Sequence, residues 1–175
     1  MPTRDPDGVS IVGIGQVPVR REHPAGLREL GAEAVRLAMA DAGVERVDAL
    51  FVGNMLADEL QGQKHLATLI GDEAGLHGIE ALEVRAATAT GAASLRMAYL
   101  AVASGQAETA IALGVEKMGS DREQIVSALA KGLDAELELP TTGSLLAMNA
   151  HLMRLYLERH GRSITDFDGF ALNAH

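Results

Sequence analysis

The chain has 175 residues, 47% hydrophobic and 22% charged, which is the size and composition of an ordinary globular domain with a buried core. Its formal net charge of −9 disfavours nucleic acid and anionic membrane surfaces as partners, because both would repel it. The sequence has no cysteine, which excludes disulfides, thiolate metal sites and a cysteine nucleophile among these residues. No targeting or transmembrane segment is recognisable, and we expect a cytoplasmic protein.

Predicted strands and helices alternate in the first part of the chain. The β-branched run at residues 9–15 predicts a buried strand, and apolar residues at helical spacing predict a helix from Leu27 to a stop at Gly43. Further strands are predicted at 49–53, 81–86 and 109–115, a short helix at 65–74, and a helix at 92–104 that has one charge and should be buried on most sides. This order predicts an α/β fold with a mostly parallel sheet.

The pattern changes near residue 120. A short helix is predicted at 124–131, a loop at 133–144, an amphipathic helix at 145–159, and the start of another helix at Ser163. We therefore expect one domain over residues 1–175, with a core at about 9–119 and a region of loops and helices at about 120–175.

Two weak motifs do not support a function. Gly13 and Gly15 follow a predicted strand, as in a dinucleotide-binding turn, but Pro18 stands where that motif needs its third glycine. His151 and His160 lie in one predicted helix about 900° of turn apart, so they point to opposite sides and do not share a metal ion. We predict no metal site and no bound cofactor.

The most informative segment joins a predicted strand to the small-residue helix, at Ala-Ala-Thr88-Ala-Thr90-Gly91. Such a junction places residue 88 near a helix N-terminus, where free N–H groups and the helix dipole favour negative charge. Enzymes use that position to stabilise a nucleophile. The simpler interpretation, which the residues by themselves favour, is that Thr88 or Thr90 caps the helix.

Several short motifs follow one another in a recognisable order. They are Val-Gly-Ile-Gly15, Leu-Arg-Glu-Leu30, Ala-Asp-Ala-Gly43, Phe-Val-Gly-Asn-Met55, Ala-Thr-Ala-Thr-Gly91, Met-Ala-Tyr-Leu-Ala-Val-Ala-Ser-Gly105 and Gly-Val-Glu-Lys-Met118. In this order the chain resembles the N-terminal half of the thiolase family, with the sterol-carrier-protein-2 type and the archaeal acetyl-CoA acetyltransferases as the most similar subgroup. The resemblance covers residues 9–175.

The resemblance implies a fold and a site. It implies a layered, thiolase-like α/β unit of βαβαβαββ order, one half of an αβαβα sandwich, with residues from about 120 in a lid region. It implies acyl-CoA as the substrate, with no further cofactor. Thr88 stands where the family has its acyl-accepting cysteine, and a threonine hydroxyl is far less acidic than a thiol. No catalytic role passes to His175, and the substrate-binding residues stay open.

The resemblance leaves several functions open. The complete protein is expected to be an acyl-CoA acyltransferase of the acetyl-CoA acetyltransferase type, or a lyase that cleaves acyl-CoA side chains by retro-aldol chemistry without the cysteine. The alternative is a non-catalytic subunit or a fragment that supports a catalytic chain. The implied partners are a second copy in a homodimer, a missing C-terminal half, or a small acyl-CoA-binding protein with an OB-fold and a zinc ribbon.

Overall fold

A computed structural model describes residues 8–119 and 121–174 of the chain. These residues form two compact units, which divide between Asp121 and Arg122. We refer to them as the first and the second unit.

The first unit is an α/β unit with a parallel sheet, as the sequence predicts, but three of the four predicted strands form. Strand β1 lies in the centre, β2 and β3 flank it, and all pairings are parallel. The predicted helix from Leu27 ends at Gly43, which has the left-handed backbone that favours glycine. The elements are α1 (Leu27–Ala42), β1 (Ala49–Gly53), α2 (Ala57–Leu60), α3 (Leu66–Ala74), β2 (Glu80–Val84), α4 (Thr90–Ala103) and β3 (Ala110–Gly114).

The core lies on both faces of β1, every residue of which is buried. Leu50 and Val52 point to the face that α1 and α3 cover, where Val35 and Ile70 are buried with them. Phe51 points to the opposite face, where the buried small residues of α4 pack. A strand covered on both faces is apolar at every position, which explains why β1 is a continuous apolar run rather than an alternating one.

Helix α4 is less buried than its composition predicts. Its small residues face the sheet, whereas Leu95 is 53% exposed and Tyr99 and Leu100 are each 40% exposed. The prediction of a helix buried on most sides is wrong for the chain as described. The helix has one covered face, and a second, apolar face that no described residue covers fully.

The predicted buried strand at residues 9–15 is also wrong. No strand forms there, and Ile11 and Ile14 are 77% and 76% exposed. Gly13 and Gly15 instead lie directly against α1. A Cβ on Gly13 would lie 2.6 Å from backbone atoms of that helix, and a Cβ on Gly15 would overlap the Ala34 carbonyl oxygen. The Ile14 amide donates to an Asp41 carboxylate oxygen at 2.9 Å. Glycines that the sequence suggests as a strand end thus serve close packing on a helix.

The second unit is helical. It contains α5 (Arg122–Ala130), α6 (Leu139–Thr142), α7 (Leu145–His160), a 3₁₀ turn (Ile164–Phe167) and α8 (Asp168–Ala174), and α6 lies within the predicted loop. The Ser144 hydroxyl caps α7 by accepting from the Ala147 amide at 3.2 Å, and Gly161 ends the helix with left-handed backbone. Among its described residues, an aromatic cluster joins Tyr156, Phe167 and Phe170, with ring centroids 5.9 and 6.1 Å apart.

Candidate functional site

The carboxyl ends of the three strands form the candidate site. Gly53 of β1 lies in register with Val84 of β2 and with Gly114 of β3, so the segments that follow the three strands leave the sheet at the same edge. Parallel α/β sheets bind ligands outside this edge. The segments that leave it carry polar side chains, among them Asn54, Arg85 and Glu116.

Thr88 lies in the turn between β2 and α4. The helix begins at Thr90, so residue 88 is close to a helix N-terminus, as the sequence predicts. The Thr88 side chain is exposed, and its hydroxyl has no hydrogen bond within residues 8–119 and 121–174. The preceding residue, Ala87, has a φ of 47°, the left-handed region that non-glycine residues rarely adopt. Such a conformation costs roughly 1–2 kcal/mol and persists only where neighbouring contacts hold it.

The neighbouring contacts come from Thr90, which is buried. Its Oγ1 accepts a hydrogen bond from the Ala86 amide at 2.9 Å and donates one to the Ala87 carbonyl at 2.6 Å. The interpretation of Thr88 or Thr90 as a helix cap is therefore wrong. The N-cap residue is Ala89, without a side-chain hydrogen bond, and the Thr90 hydroxyl bonds backwards into the turn rather than forwards into the helix.

The strand-ending glycine of β1, Gly53, admits the start of α4, whereas the strand-ending glycine of β3, Gly114, is not needed for it. A Cβ on Gly53 would lie 2.9 Å from the Thr90 carbonyl oxygen, closer than real Cβ atoms come, and in tight contact with the Ser94 hydroxyl at 3.2 Å. A Cβ on Gly114 would lie 4.0 Å from the Gly91 Cα, an ordinary contact. The first turn of α4 thus lies directly on the end of β1. Its position relative to the sheet is fixed by backbone contact at Gly53.

An ion-pair cluster follows β2. The Arg85 guanidinium lies 2.8 Å from an Asp58 carboxylate oxygen and 3.3 Å from one of Glu83. The hydrogen bond from Arg85 lowers the pKa of Asp58, and the same bond raises the pKa of Arg85. Glu83 also accepts from the Leu66 amide at 3.1 Å, which ties β2 to the start of α3.

A second polar cluster joins β1 to β3. The Asn54 side chain is fully buried, accepts from the Ala57 amide at 2.7 Å and donates to the Val115 carbonyl at 2.7 Å. The Glu116 carboxylate accepts from the Met55 amide. Desolvation raises the pKa of Glu116, although the residue as a whole reaches solvent.

Lys117 continues this edge toward the segment before α1. Its ammonium donates to the backbone carbonyls of His23 and Ala25 at 3.0 and 2.5 Å, and its own carbonyl accepts from the Gln61 side chain at 2.6 Å. Sequence reasoning used Gly114 to Met118 only as part of a resemblance and missed these roles. The available signal was a polar residue within two positions of the end of each strand, at Asn54, Arg85 and Glu116.

Among the described residues, no group of three or more His, Asp or Glu side chains could hold a metal ion. His151 and His160 both lie on α7, and His175 lies outside the described residues. No described helix is both long and apolar enough to cross a bilayer.

Comparison with known proteins identifies the family. The profile described as "Thiolase, N-terminal domain" matches residues 9–175, nearly the whole chain. The chain belongs to the thiolase family. The resemblance seen in the motifs and the parallel α/β fold of the first unit agree with this assignment.

Individual thiolase-family relatives are similar over most of the chain. An acetyl-CoA acetyltransferase of Methanocaldococcus jannaschii is 33% identical over 169 residues, which are 95% of this chain and 43% of the relative. An acetyl-CoA acetyltransferase of Methanothermobacter thermautotrophicus is 36% identical over 155 residues, 87% of this chain and 40% of the relative. The chain therefore spans less than half the length of these relatives.

Two more distant similarities cover parts of the chain. Human sterol carrier protein 2 is 35% identical over 115 residues, 63% of this chain and 20% of that protein. The solved structure of 3-oxoacyl-(acyl carrier protein) synthase III from Pseudomonas aeruginosa has a TM-score of 0.40 and 26% identity, over 48% of this chain and 25% of its own.

Proposed function

We propose that the complete protein acts on acyl-CoA thioesters and breaks a carbon–carbon bond by retro-aldol cleavage, without an acyl group bound to residue 88. Membership of the thiolase family and the similarity to acetyl-CoA acetyltransferases support the acyl-CoA substrate class. The observation that carries the finer proposal is the Thr88 hydroxyl, which is exposed and has no hydrogen-bonded base among the described residues.

An unassisted threonine is a poor acyl acceptor. Its hydroxyl must lose a proton to attack a thioester, and enzymes that use Ser or Thr place a general base within hydrogen-bonding distance. The charged residue nearest to the turn in the sequence is Arg85, a cation that is paired with Asp58 and Glu83 and cannot act as a base. The turn therefore supports substrate orientation near a helix N-terminus rather than covalent catalysis.

Retro-aldol cleavage needs no covalent intermediate. A base removes the hydroxyl proton of a β-hydroxyacyl-CoA, and the bond between Cα and Cβ breaks as an aldehyde or ketone forms. The electron pair of that bond passes to the thioester carbonyl, and the resulting enolate is protonated at Cα to give a shorter acyl-CoA. The chemistry requires a base and donors for the developing oxyanion, which we expect from parts of the protein beyond the described clusters.

The test compares two reactions of the full-length gene product, expressed with its genomic neighbours. A β-hydroxyacyl-CoA should give equal amounts of a shorter acyl-CoA and a free carbonyl compound, measured by liquid chromatography and mass spectrometry. Acetoacetyl-CoA with free CoA should give no acetyl-CoA above the level without protein. Thiolysis of acetoacetyl-CoA would establish an acyltransferase instead and overturn the proposal.

The second candidate function is a non-catalytic subunit, and the exposed apolar face of α4 favours it. A thiolase-family chain without its own chemistry would use such a face to support a catalytic chain, a second copy, or a small acyl-CoA-binding protein with an OB-fold and a zinc ribbon. Inactivity of the isolated full-length protein in both assays, with activity only after addition of a co-purifying subunit, would favour this alternative.

A further inference from the structure

We propose that Thr90 is the positioning residue of the candidate site, holding the turn that presents the side chain of residue 88. The inference deepens the proposed function, because it concerns the same turn. It does not depend on which acyl-CoA reaction the protein performs. It rests on the hydrogen bonds, burial and backbone conformation of residues 86–90.

The turn is closed by four hydrogen bonds within five residues. The Ala89 amide donates to the Ala86 carbonyl at 2.9 Å, and the Thr90 amide donates to the Ala87 carbonyl at 3.2 Å. The Thr90 hydroxyl supplies the other two, from the Ala86 amide and to the Ala87 carbonyl. The Thr90 side chain thus provides a hydrogen-bond partner for the Ala86 amide and for the Ala87 carbonyl, which flank the peptide bond between residues 86 and 87.

The hydroxyl bonds act where the backbone is least favourable. Ala87 has left-handed backbone, and alanine pays a conformational cost there that glycine would not. Residue 88 follows directly, so the direction of its side chain depends on the φ and ψ of Ala87. Removing the Thr90 hydroxyl would leave the Ala86 amide and one acceptor site of Ala87 without protein partners, and the turn would relax.

The rest of the Thr90 side chain is also held. Its Cγ2 methyl lies close to Gly53, since a Cβ built on Gly53 would be 3.1 Å from that methyl. The side chain therefore lies between the turn and the end of β1. Only 6% of Thr90 is exposed. Thr90 therefore contacts both the end of β1 and the turn, and it holds the turn in place relative to the sheet edge.

Ser94 provides a matched control on the same helix. Its buried hydroxyl also faces Gly53, but it donates to the Gly91 carbonyl at 2.8 Å, inside α4 and beyond the turn. Loss of either hydroxyl removes a buried hydrogen bond near Gly53. Only loss of the Thr90 hydroxyl removes one from the turn that carries residue 88.

The test places a thiol at residue 88 and measures its acidity in the full-length protein. In Thr88→Cys protein, the alkylation rate of the peptide containing residue 88 is followed by mass spectrometry against pH. Resolving the rate by peptide keeps any other thiol out of the measurement. We expect a thiol pKa below the free value of about 8.5, because the start of α4 favours the thiolate.

Variants at Thr90 then separate positioning from general stability. Adding Thr90→Val should return the thiol pKa toward the free value by about 0.5 unit or more, whereas Thr90→Ser, which keeps the hydroxyl, should leave it within about 0.2 unit. Ser94→Ala should lower the unfolding free energy but leave the thiol pKa unchanged. Equal thiol pKa values in the parent, Thr90→Val and Ser94→Ala proteins would overturn the proposal.

A second measurement needs no folded valine variant. In the unmutated protein, the Ala86 amide should exchange with solvent deuterium more than tenfold more slowly than an exposed amide of the same sequence context, because Thr90 is its acceptor. Exchange at the rate of exposed backbone would contradict the proposal. Neither readout involves turnover, so failure of the proposed acyl-CoA reaction leaves both interpretable.

Discussion

The two units of the chain bury their residues very differently. In the first unit, every residue of β1 is buried and helices cover both faces of the sheet. In the second unit, the 16-residue helix α7 has no buried residue, and the described burial is limited to Ala128 and Ala130. The stability of the first unit therefore comes from a hydrophobic core, whereas the second unit depends on caps and a small aromatic cluster.

The largest expected effect comes from the core of β1. Phe51→Ala should lower the unfolding free energy of the first unit by about 3–5 kcal/mol, because a fully buried ring is replaced by a cavity. Phe167→Ala removes both ring contacts of the half-buried Phe167, with Tyr156 and with Phe170, and should cost about 1–2 kcal/mol. Urea denaturation, monitored by hydrogen exchange of amides in each unit, measures both losses of unfolding free energy. Equal losses would contradict the contrast between the units.

The next largest effect is the difference in stability between alanine variants of the two strand-ending glycines, Gly53 and Gly114. Gly53→Ala should cost about 1–3 kcal/mol of unfolding free energy, because its Cβ would strike the Thr90 carbonyl. Gly114→Ala is the matched control, and it should stay within about 0.5 kcal/mol because its Cβ meets only an ordinary contact. Thermal denaturation of both variants is sufficient. A neutral Gly53→Ala would show that α4 does not rest on β1 as described.

The exposed face of α4 should promote association when the 175 residues are expressed by themselves. Leu95, Tyr99 and Leu100 form an apolar face on one helix, and apolar area is stabilised by burial at about 25 cal/mol per Å². Sedimentation at micromolar concentration should show dimers or larger species, and Leu95→Glu should reduce them. Leu37→Glu, on exposed α1 surface, is the control. A chain that sediments as a monomer at all concentrations would contradict this prediction.

Two carboxylates of the site should respond to pH in opposite directions. Asp58 has a folded pKa below its ordinary 3.8, so its ionised form contributes stability above that value and loses it as the pH falls. Glu116 has a folded pKa above its ordinary 4.5, so its contribution is present below that value and is lost as the pH rises through the folded pKa.

Charge-removing variants measure this difference at constant salt. Between pH 7 and about pH 3, the stability advantage of the unmutated protein over Asp58→Asn should shrink, with most of the change below the ordinary pKa of 3.8. Over the same range its advantage over Glu116→Gln should grow. Parallel curves for the two variants would mean that the environments of Asp58 and Glu116 do not differ as described.

Most of the first unit could be predicted from the sequence, because its signals are local. The run at 49–53 and the glycine stops at Gly43 and Gly75 fix β1, α1 and α3 by hydrophobic pattern and left-handed backbone. The segment at 9–15 misled the prediction, because a β-branched run indicates extended backbone but not its partner. Only the structure shows that its glycines pack on α1.

The site was predictable in position but not in detail. A strand followed by small residues indicated that residue 88 lies near a helix start, and the structure agrees. The role of Thr90 was not predictable, because a threonine at a helix start usually caps forwards. The hydrogen bonds from Thr90 back into the turn depend on the left-handed conformation of Ala87. An alanine in the sequence does not indicate such a conformation.

The most direct test of the central claim asks whether Thr88 accepts an acyl group. The full-length protein is incubated with acetyl-CoA, quenched in acid, digested and analysed by mass spectrometry, with Thr88→Cys as the positive control for trapping. We predict unmodified Thr88 in the native sequence, because its hydroxyl has no hydrogen-bonded base among the described residues. A stoichiometric acetyl group on Thr88 would contradict the proposal of chemistry without an acyl-enzyme.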